Sequence, residues 1–265
     1  MGELLMRRRE MIQSENATVY GWLYHFNRSL SSSGTKDFDW SGAEYYENGV
    51  FGQAYYHKVE PEGAGGTDYF GLKATNSSDL PDLSGDWTFS AWHKSLSNLR
   101  GHIICATNYI GTANSSTLGN ANNVKSGWSV SYGVATKSAV GLQIGFISQR
   151  LTIRISNLNG GYARLYYVTP PSTFSTLSFH HYAMTQSRAN GKIYFFVDGD
   201  KIFDINTATT VRFGSNVAIG NYFGATQSAE STLQTTSYGD VVDDLYINDK
   251  ECKWTSDFDP YSIVY

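Results

Sequence analysis

The chain has 265 residues and a formal net charge of −4, with 15% aromatic and 17% charged residues. This length suffices for one large β domain with a buried core, and the acidic balance argues against a chain that binds nucleic acid through a basic surface. No apolar run reaches the roughly 18 residues of a transmembrane helix. The 26 glycines, together with many aromatic, Ser and Thr residues, are typical of a β-sandwich or barrel.

The first residues of the chain predict a docking arm. Leu4, Leu5, Met11 and Ile12 fall on one side of a helical wheel, and Arg8 lies in the middle of that stripe. A free helix this short is marginal in water, so we expect it to dock on a partner or a sister subunit. Two alternatives stay open: a disordered start, and a contact of three consecutive arginines with nucleic acid or a membrane. No apolar segment follows the arginines, so a secretory signal is not predicted.

From residue 18 onward the sequence predicts short strands joined by turns. The segments are rich in Tyr, Phe, Val, Ile and Thr, and most are four to eight residues long. The clearest hairpin turns at Asp198-Gly199, a pair of residues that favours a tight turn between apolar runs. The predicted strands are 18–25, 52–58, 68–72, 87–94, 102–107, 127–132, 141–148, 151–156, 163–168, 180–186, 192–197, 201–206, 216–220 and 243–248. Long loops are predicted at 27–48, 108–126 and 223–239.

Short motifs mark this strand region. They are Gly-Trp-Leu-Tyr-His-Phe-Asn at 21–27, Asn-Gly-Val-Phe-Gly-Gln-Ala at 48–54, Trp-Thr-Phe-Ser-Ala-Trp-His at 87–93, His-His-Tyr-Ala-Met at 180–184, Ile-Tyr-Phe-Phe-Val-Asp-Gly at 193–199, Val-Ala-Ile-Gly-Asn at 217–221 and Asp-Asp-Leu-Tyr-Ile-Asn at 243–248. The motifs and their order resemble those of laminin G-like domains. The resemblance covers residues 19–248 and implies an all-β fold, a concanavalin A-like jelly-roll sandwich of two antiparallel sheets.

The resemblance sets the domain organisation that we expect. One laminin G-like jelly roll is predicted over residues 18–255, preceded by the N-terminal arm over 1–17 and followed by a C-terminal tail over 256–265. Proteins with this fold are mostly binding modules for carbohydrate or protein, although some are glucanases. Function therefore has to be argued from the site.

Acidic residues do not predict catalysis. Glucanases with this fold place acids as Glu-x-Asp-x-x-Glu on one strand, which puts carboxylates on one sheet face at the spacing that hydrolysis needs. No such run occurs in this sequence. Asp243 and Asp244 are adjacent, so on a strand they would face opposite ways, and their place in the family motif implies a structural role as acceptors of backbone hydrogen bonds. We therefore expect a protein that is not an enzyme.

Metal binding is limited to a calcium hypothesis. The six histidines show no zinc-type spacing. Laminin G-like domains often bind calcium at their loop rim, and this resemblance points to Asp68 and Asp240, ahead of Asp198 and Asp200. No dense Asp/Asn calcium loop occurs in the sequence. No cofactor is therefore predicted, and calcium stays an alternative.

Aromatic residues in loops carry the binding hypothesis. Sugars present C–H faces that stack on Trp and Tyr, and neighbouring amides can hold the hydroxyl groups. Tyr109 with Asn108, Tyr222 with Asn221, and Tyr238 lie in loop-like sequence and are the candidate ligand contacts. The alternative is that these rings pack their own loops against the sandwich.

The preferred hypothesis is a non-catalytic binding or decorating module of a larger assembly. A bacteriophage virion protein, such as a fibre, tail or head-decoration component, would combine a binding fold with the lack of a secretion signal. Its partners would be other virion proteins, through the arm, and a host glycan. Alternatives are a carbohydrate-binding module of a bacterial surface protein, outside the cell, a glycoside hydrolase, and a structural homo-oligomer without a glycan ligand. No nucleic-acid or membrane partner is expected for the domain.

Overall fold

The computed structural model describes residues 19–38, 40–41, 46–58, 72–75, 80–96, 100–107, 117–135, 141–147, 150–155, 163–206, 211–212, 216–219 and 239–263. In these ranges every regular element is a β-strand except for a 3-10 helix over Pro260–Ser262. No helix in the described ranges is long and apolar enough to cross a membrane. The predicted arm, with Leu4, Leu5, Arg8, Met11 and Ile12, lies outside the described residues and stays a prediction.

Nineteen strands lie in the described ranges. In chain order they are β1 (Trp22–Tyr24), β2 (Trp40–Ser41), β3 (Tyr46–Asn48), β4 (Gln53–Lys58), β5 (Leu72–Thr75), β6 (Asp82–Leu83), β7 (Trp87–Ser95), β8 (Arg100–Thr107), β9 (Thr117–Asn120), β10 (Ser129–Ala135), β11 (Gly141–Ile147), β12 (Arg150–Ile155), β13 (Ala163–Thr169), β14 (His180–Ser187), β15 (Lys192–Val197), β16 (Asp200–Asn206), β17 (Val211–Arg212), β18 (Asn216–Ile219) and β19 (Gly239–Asn248).

The strands form two large sheets. The eight-stranded sheet has the order β16-β15-β14-β7-β19-β4-β3, and β1 also pairs with β19. The nine-stranded sheet has the order β2-β5-β18-β8-β11-β12-β13-β10-β9, while β6 and β17 form a separate pair. The pairings among the described strands are antiparallel. The all-β sandwich of two antiparallel sheets that the sequence predicts is confirmed.

One hydrophobic core lies between the two large sheets. Strand β7 supplies Trp87, Phe89 and Ala91 from the eight-stranded sheet, and β11 supplies Leu142 and Ile144 from the other. These five side chains are fully buried. Every second residue of β7 faces the core, as its sequence predicts. Burying each large apolar side chain contributes roughly 1.5–3 kcal/mol, so this shared core holds the sheets together.

The outer face of the eight-stranded sheet is covered by residues 249–263, which we call the C-terminal strap. Thr88 of β7 and Thr185 of β14 are cross-strand neighbours on this face. The Thr88 hydroxyl donates to the Glu251 carbonyl at 2.7 Å, and the Thr185 hydroxyl donates to the Trp254 carbonyl at 2.6 Å. Two side chains of the sheet therefore satisfy backbone groups of a segment that has no strand partner of its own among the described residues.

Aromatic side chains complete the attachment of the strap. Trp254 and Phe258 stack with ring centroids 4.2 Å apart, and Phe258 packs edge-on against Phe196 of β15 at 5.3 Å. Phe196 is fully buried although it lies outside the main core. Residues 256–263, part of the predicted C-terminal tail, thus lie against the sheet.

The hairpin turn between β15 and β16 is hydrogen-bonded to the strap and packs closely against it. Asp198 and Gly199 have φ values of 51° and 81°, the left-handed conformation that the Asp-Gly pair predicts. The Gly199 carbonyl accepts a hydrogen bond from the Phe258 N–H at 3.0 Å. A Cβ atom at Gly199 would lie 1.9 Å from the Phe258 carbonyl oxygen, so a side chain has no room there.

The structure contains short strands that the sequence does not predict. β2 and β3 lie inside the predicted 27–48 loop, and β9 lies inside the predicted 108–126 loop. All three are two to four residues long, and each pairs with only one neighbour at a sheet edge. Strands of this kind form because a neighbour offers backbone groups to pair with, and their own side-chain pattern carries little signal.

Gly199 and Gly191 offer a matched test of how closely the strap packs on the turn between β15 and β16. Both have positive φ, but a Cβ at Gly191 meets nothing within 4 Å. We expect Gly191→Ala to lower the free energy of unfolding by about 1–2 kcal/mol, the cost of the left-handed conformation alone. Gly199→Ala should lose about 1–3 kcal/mol more, because the strap has to move. Urea unfolding of both variants measures the difference, and equal losses would contradict the close packing of the strap on this turn.

Candidate functional site

Most residues that the sequence predicts as ligand contacts lie outside the described residues. These are Tyr109, Asn108, Tyr222, Asn221 and Tyr238, together with the predicted calcium ligand Asp68. Their roles stay predictions. The candidate site below is built from the described residues alone.

Asp240, the other predicted calcium ligand, lies inside the sandwich. Its Oδ1 is 2.7 Å from Nε2 of His93, and both side chains are fully buried. The His93 ring in turn stacks on Phe146 of the opposite sheet, with centroids 5.0 Å apart. Within the described ranges no group of three or more His, Cys, Asp or Glu residues is placed to hold a metal ion. Calcium binding through Asp68 and Asp240 thus stays a prediction.

The eight-stranded sheet has a break along β19, where that strand changes its neighbour. Residues up to Val242 pair with β4, and residues from Leu245 pair with β1. Asp243 and Asp244 lie between the two pairings, where the register against β7 also shifts. Asp244 has a φ of 48°, the left-handed conformation typical of a bulge. The bulge turns two acidic side chains toward segments that approach the break.

The Asp243 carboxylate fastens one of these segments, the 49–53 turn between β3 and β4. Its Oδ2 accepts hydrogen bonds from the N–H groups of Val50 and Phe51, at 2.8 and 3.1 Å. Its Oδ1 accepts from the N–H of Asp244 at 2.9 Å. A Cβ atom at Gly49 would lie 2.4 Å from Oδ2, so this turn needs glycine to approach the carboxylate. The structural role that the family motif implies for Asp243 is present here.

The Asp244 carboxylate fastens the other segment, which leaves β1. Its Oδ1 is 2.7 Å from Nδ1 of His25, with the aspartate side chain 1% exposed and the histidine 18% exposed. The described partner of the Asp244 carboxylate is thus a histidine, a contact that the sequence does not predict. A buried carboxylate is stable only with such a partner, so the pair fixes where the chain after β1 runs.

Polar side chains from the two segments interlock on the surface. The Asn27 side-chain oxygen accepts from the Gln53 N–H at 2.9 Å, and the Gln53 side-chain oxygen accepts from Nε of Arg28 at 2.6 Å. Asn27 and Arg28 are exposed, and Gln53 is half-buried. The cluster therefore presents an amide and a guanidinium group to solvent from fixed positions.

An aromatic group also includes a residue of the 49–53 turn. The Phe51 ring is 5.9 Å from Trp92 of β7 and 6.4 Å from Tyr261 of the strap, and Trp92 and Tyr261 are 4.9 Å apart. Trp92 is buried, whereas Tyr261 is 54% exposed. Burial raises the pKa of the Tyr261 phenol, and the charges of Asp198 and Asp259 raise it further, so the hydroxyl stays a hydrogen-bond donor at neutral pH.

The rings and the polar cluster meet at the 49–53 turn, since Phe51 and Gln53 are two residues apart. We call Asn27, Arg28, Phe51, Gln53 and Tyr261 the candidate binding face. An aromatic ring next to hydrogen-bonding groups can stack on an apolar face of a ligand while those groups hold its polar edge. The arrangement suits a small polar ligand with a flat C–H face.

Sequence reasoning missed this face for identifiable reasons. Phe51 lies in a motif that predicts a turn and strand, and Tyr261 lies in a segment interpreted as a tail. The sequence does hold a signal for the strap. Trp254, Phe258 and Tyr261 fall within eight residues after the last predicted strand, and aromatic residues clustered there indicate a segment that packs on the domain. The contact between Phe51 and Tyr261 has no sequence signal, because it depends on where the strap crosses the sheet.

Comparisons with known proteins bear on the fold. No model of a protein family matches the chain, and no curated protein matches it. Among solved structures, 64 chains match. The binding domain of botulinum neurotoxin serotype C1 superposes with a TM-score of 0.54 at 15% identity, over 88% of this chain and 49% of that one. The binding domain of botulinum neurotoxin DC in complex with SialylT gives 0.53 at 14% identity, over 87% and 47%.

This chain thus spans about half the length of both toxin binding domains, 49% and 47%. A native glycosidic hydrolase gives a TM-score of 0.48 at 14% identity, over 89% of this chain and 100% of the other. Identities this low show the fold alone. The chain has an all-β jelly-roll sandwich fold of two antiparallel sheets, as the sequence predicts.

Asp243→Ala tests how much the break in the sheet depends on one carboxylate. The change leaves three buried or half-buried N–H groups without their acceptor, and bonds to a charged acceptor contribute about 1.5–3 kcal/mol. We expect the free energy of unfolding to fall by about 2–5 kcal/mol. The control Asp200→Ala removes a carboxylate that forms a surface ion pair with Lys125 and should cost less than about 1 kcal/mol. Urea unfolding followed by Trp fluorescence measures both, and similar losses would refute the role of Asp243.

Proposed function

We propose that this chain is a non-catalytic carbohydrate-binding module of a larger assembly and that the candidate binding face contacts the sugar. The observation that carries the proposal is the exposed Tyr261 ring, which rests on Trp92 and Phe51 beside the Asn27, Arg28 and Gln53 side chains. Sugar rings have C–H faces that stack on such a ring and hydroxyl groups that amide and guanidinium groups hold.

The support beneath Tyr261 favours a binding role over a purely structural one. A ring that only covered the core would bury most of its surface, as Phe258 and Trp254 do in the same strap. Tyr261 leaves 54% of its surface exposed while two other rings fix its orientation. A ring held in place before the ligand arrives loses little conformational freedom on binding. The solved complex of the toxin DC binding domain with SialylT, which shares the fold, lends further support.

The acidic residues of β19 favour binding over hydrolysis. Glycoside hydrolysis uses two carboxylates about 5–10 Å apart that reach the substrate from an open cleft. Asp240, Asp243 and Asp244 are at most 1% exposed, and each is hydrogen-bonded to a histidine or to backbone N–H groups. The hydrogen bonds of these carboxylates stabilise the fold. A glycoside hydrolase that uses other acids is the alternative.

The place of the module in a larger assembly rests on the sequence. We retain the hypothesis of a bacteriophage virion protein located in the virion, with the arm over residues 1–17 as its docking segment. A bacterial surface protein is the alternative. Detection of the protein in purified virions by mass spectrometry would support the first, and its detection in the cell-surface fraction would support the second.

Tyr261→Ala tests the proposed contact with sugar. We expect the Kd for the strongest ligand found on a glycan microarray to rise about 3- to 10-fold, since one aromatic stacking contact is lost. The control is Tyr20→Ala, because Tyr20 is 37% exposed and lies outside the candidate binding face. Isothermal titration calorimetry measures both variants.

Two results would count against the proposal. Equal effects of the two tyrosine changes would remove Tyr261 from the sugar contact, and an array without any bound glycan would remove the function itself. Release of reducing sugar from an array ligand, abolished by a single Asp or Glu change, would establish the hydrolase alternative.

A further inference from the structure

We infer that the sugar bound at the candidate binding face carries a carboxylate and that Arg28 receives it. The inference rests on the proposed carbohydrate-binding function and names the class of ligand for that face. It is carried by the state of the Arg28 guanidinium, which is exposed, fixed in position and not paired with an acid among the described residues.

The Arg28 guanidinium has more N–H donors than its described hydrogen bond uses. Arginine carries five N–H donors, and the described contact uses one of them, from Nε to the Gln53 side-chain oxygen at 2.6 Å. The lysines in described ion pairs are different: Lys94, Lys125 and Lys192 lie beside Glu47, Asp200 and Asp204, respectively. Arg28 thus presents its two terminal nitrogens without a described carboxylate as partner. This pair of nitrogens matches the two oxygens of a planar carboxylate.

Arg28 is also held in place before any ligand arrives. Its backbone has a φ of 57°, and its N–H donates to the Phe26 carbonyl at 2.7 Å in a tight turn. Phe26 is buried and stacks on Tyr24, so the turn is anchored in the core. Gln53 fixes the guanidinium, and Asn27 fixes Gln53. An arginine fixed at its backbone and at Nε gives up less entropy when it binds an anion.

The nearby acids do not compete for Arg28. Asp243 accepts three backbone hydrogen bonds, and Asp244 is hydrogen-bonded to His25. Both aspartates are 1% exposed. Their charges are thereby compensated inside the fold, which leaves the surface guanidinium available to an outside anion.

The 49–53 turn links Arg28 to the aromatic part of the candidate binding face. Gln53, which fixes Arg28, is two residues from Phe51, which packs against Tyr261, and two extended residues span at most about 7 Å. We therefore take the ligand to be an acidic oligosaccharide, with one unit stacked on Tyr261 and the carboxylate of another at Arg28.

The test compares acidic probes with esters that lack only the charge. The probes are sialyllactose and an oligogalacturonate, each beside its carboxyl methyl ester, titrated by isothermal calorimetry. We expect at least one free acid to bind about 10- to 100-fold more tightly than its ester. Arg28→Gln should remove this preference, and Arg28→Lys, which keeps the charge without the paired donors, should retain part of it.

The matched control is Arg150→Gln. Arg150 is exposed on β12 of the other sheet, so its loss should leave the preference for the acid unchanged. Circular dichroism checks that each variant is folded, and the ester comparison needs no variant at all.

The outcomes separate the inference from the proposed function. Tight binding of a neutral glycan, or of acid and ester alike, with no effect of Arg28→Gln would overturn the carboxylate inference and leave sugar binding intact. Binding of sulfated glycans in preference to both acids would overturn it in the same way. An array and titrations without any bound glycan would overturn both.

Discussion

The structure depends on the break in the eight-stranded sheet at Asp243 and Asp244. There β19 exchanges β4 for β1 as its neighbour, and two buried carboxylates fill the gap. A buried carboxylate is costly unless hydrogen bonds compensate its charge. Asp243 obtains them from N–H groups 192 and 193 residues earlier in the chain, and Asp244 from His25, 219 residues earlier. The break therefore ties together three segments that are distant in sequence.

The C-terminal strap determines how much of the outer face of the eight-stranded sheet is left uncovered. Over β14 and β15 the strap buries Phe196 and is fixed by hydrogen bonds from the sheet. Near the end of the strap, Tyr261 is 54% exposed and contacts Phe51 of the 49–53 turn. The centre of the face is thus closed by the chain itself, and an aromatic surface remains at the end of the strap. The break supplies one side of this surface and the strap supplies the other.

Local patterns in the sequence predict much of the fold. β7 alternates between core and outer positions as its residues suggest, and the Asp198-Gly199 turn has the left-handed conformation that this pair favours. The motifs at 21–27, 48–54 and 243–248, which carry the family resemblance, meet at the break in the sheet. These motifs contain the residues whose hydrogen bonds join the three segments at the break.

The candidate binding face could not be predicted in the same way. Asn27 and Gln53 belong to those motifs, but their contact with each other appears only once both segments are attached to β19. Tyr261 contacts Phe51 because of the direction in which the strap crosses the sheet. The spacing of apolar residues in the sequence does not predict that direction. The sequence instead directs attention to loop aromatics such as Tyr109 and Tyr222, whose roles stay predictions. Local patterns identify elements, whereas a surface built from three distant segments requires their packing to be known.

Backbone strain at Arg28 is compensated differently from that at Phe26, its neighbour in the same turn. A non-glycine residue in the left-handed region costs about 1–3 kcal/mol, and both Phe26 and Arg28 adopt it. For Phe26 the burial of its ring returns roughly 1.5–3 kcal/mol, which offsets the strain. Arg28 is exposed, and its strain is offset by polar contacts: one backbone hydrogen bond, worth about 1 kcal/mol net, and one from its charged guanidinium to Gln53, worth about 1.5–3 kcal/mol. Apolar packing thus offsets the strain at Phe26, and surface hydrogen bonds offset it at Arg28. The contacts that offset the strain at Arg28 are the same ones that hold its charged group outward in a fixed position, which is the arrangement that the proposed contact with an acidic ligand requires.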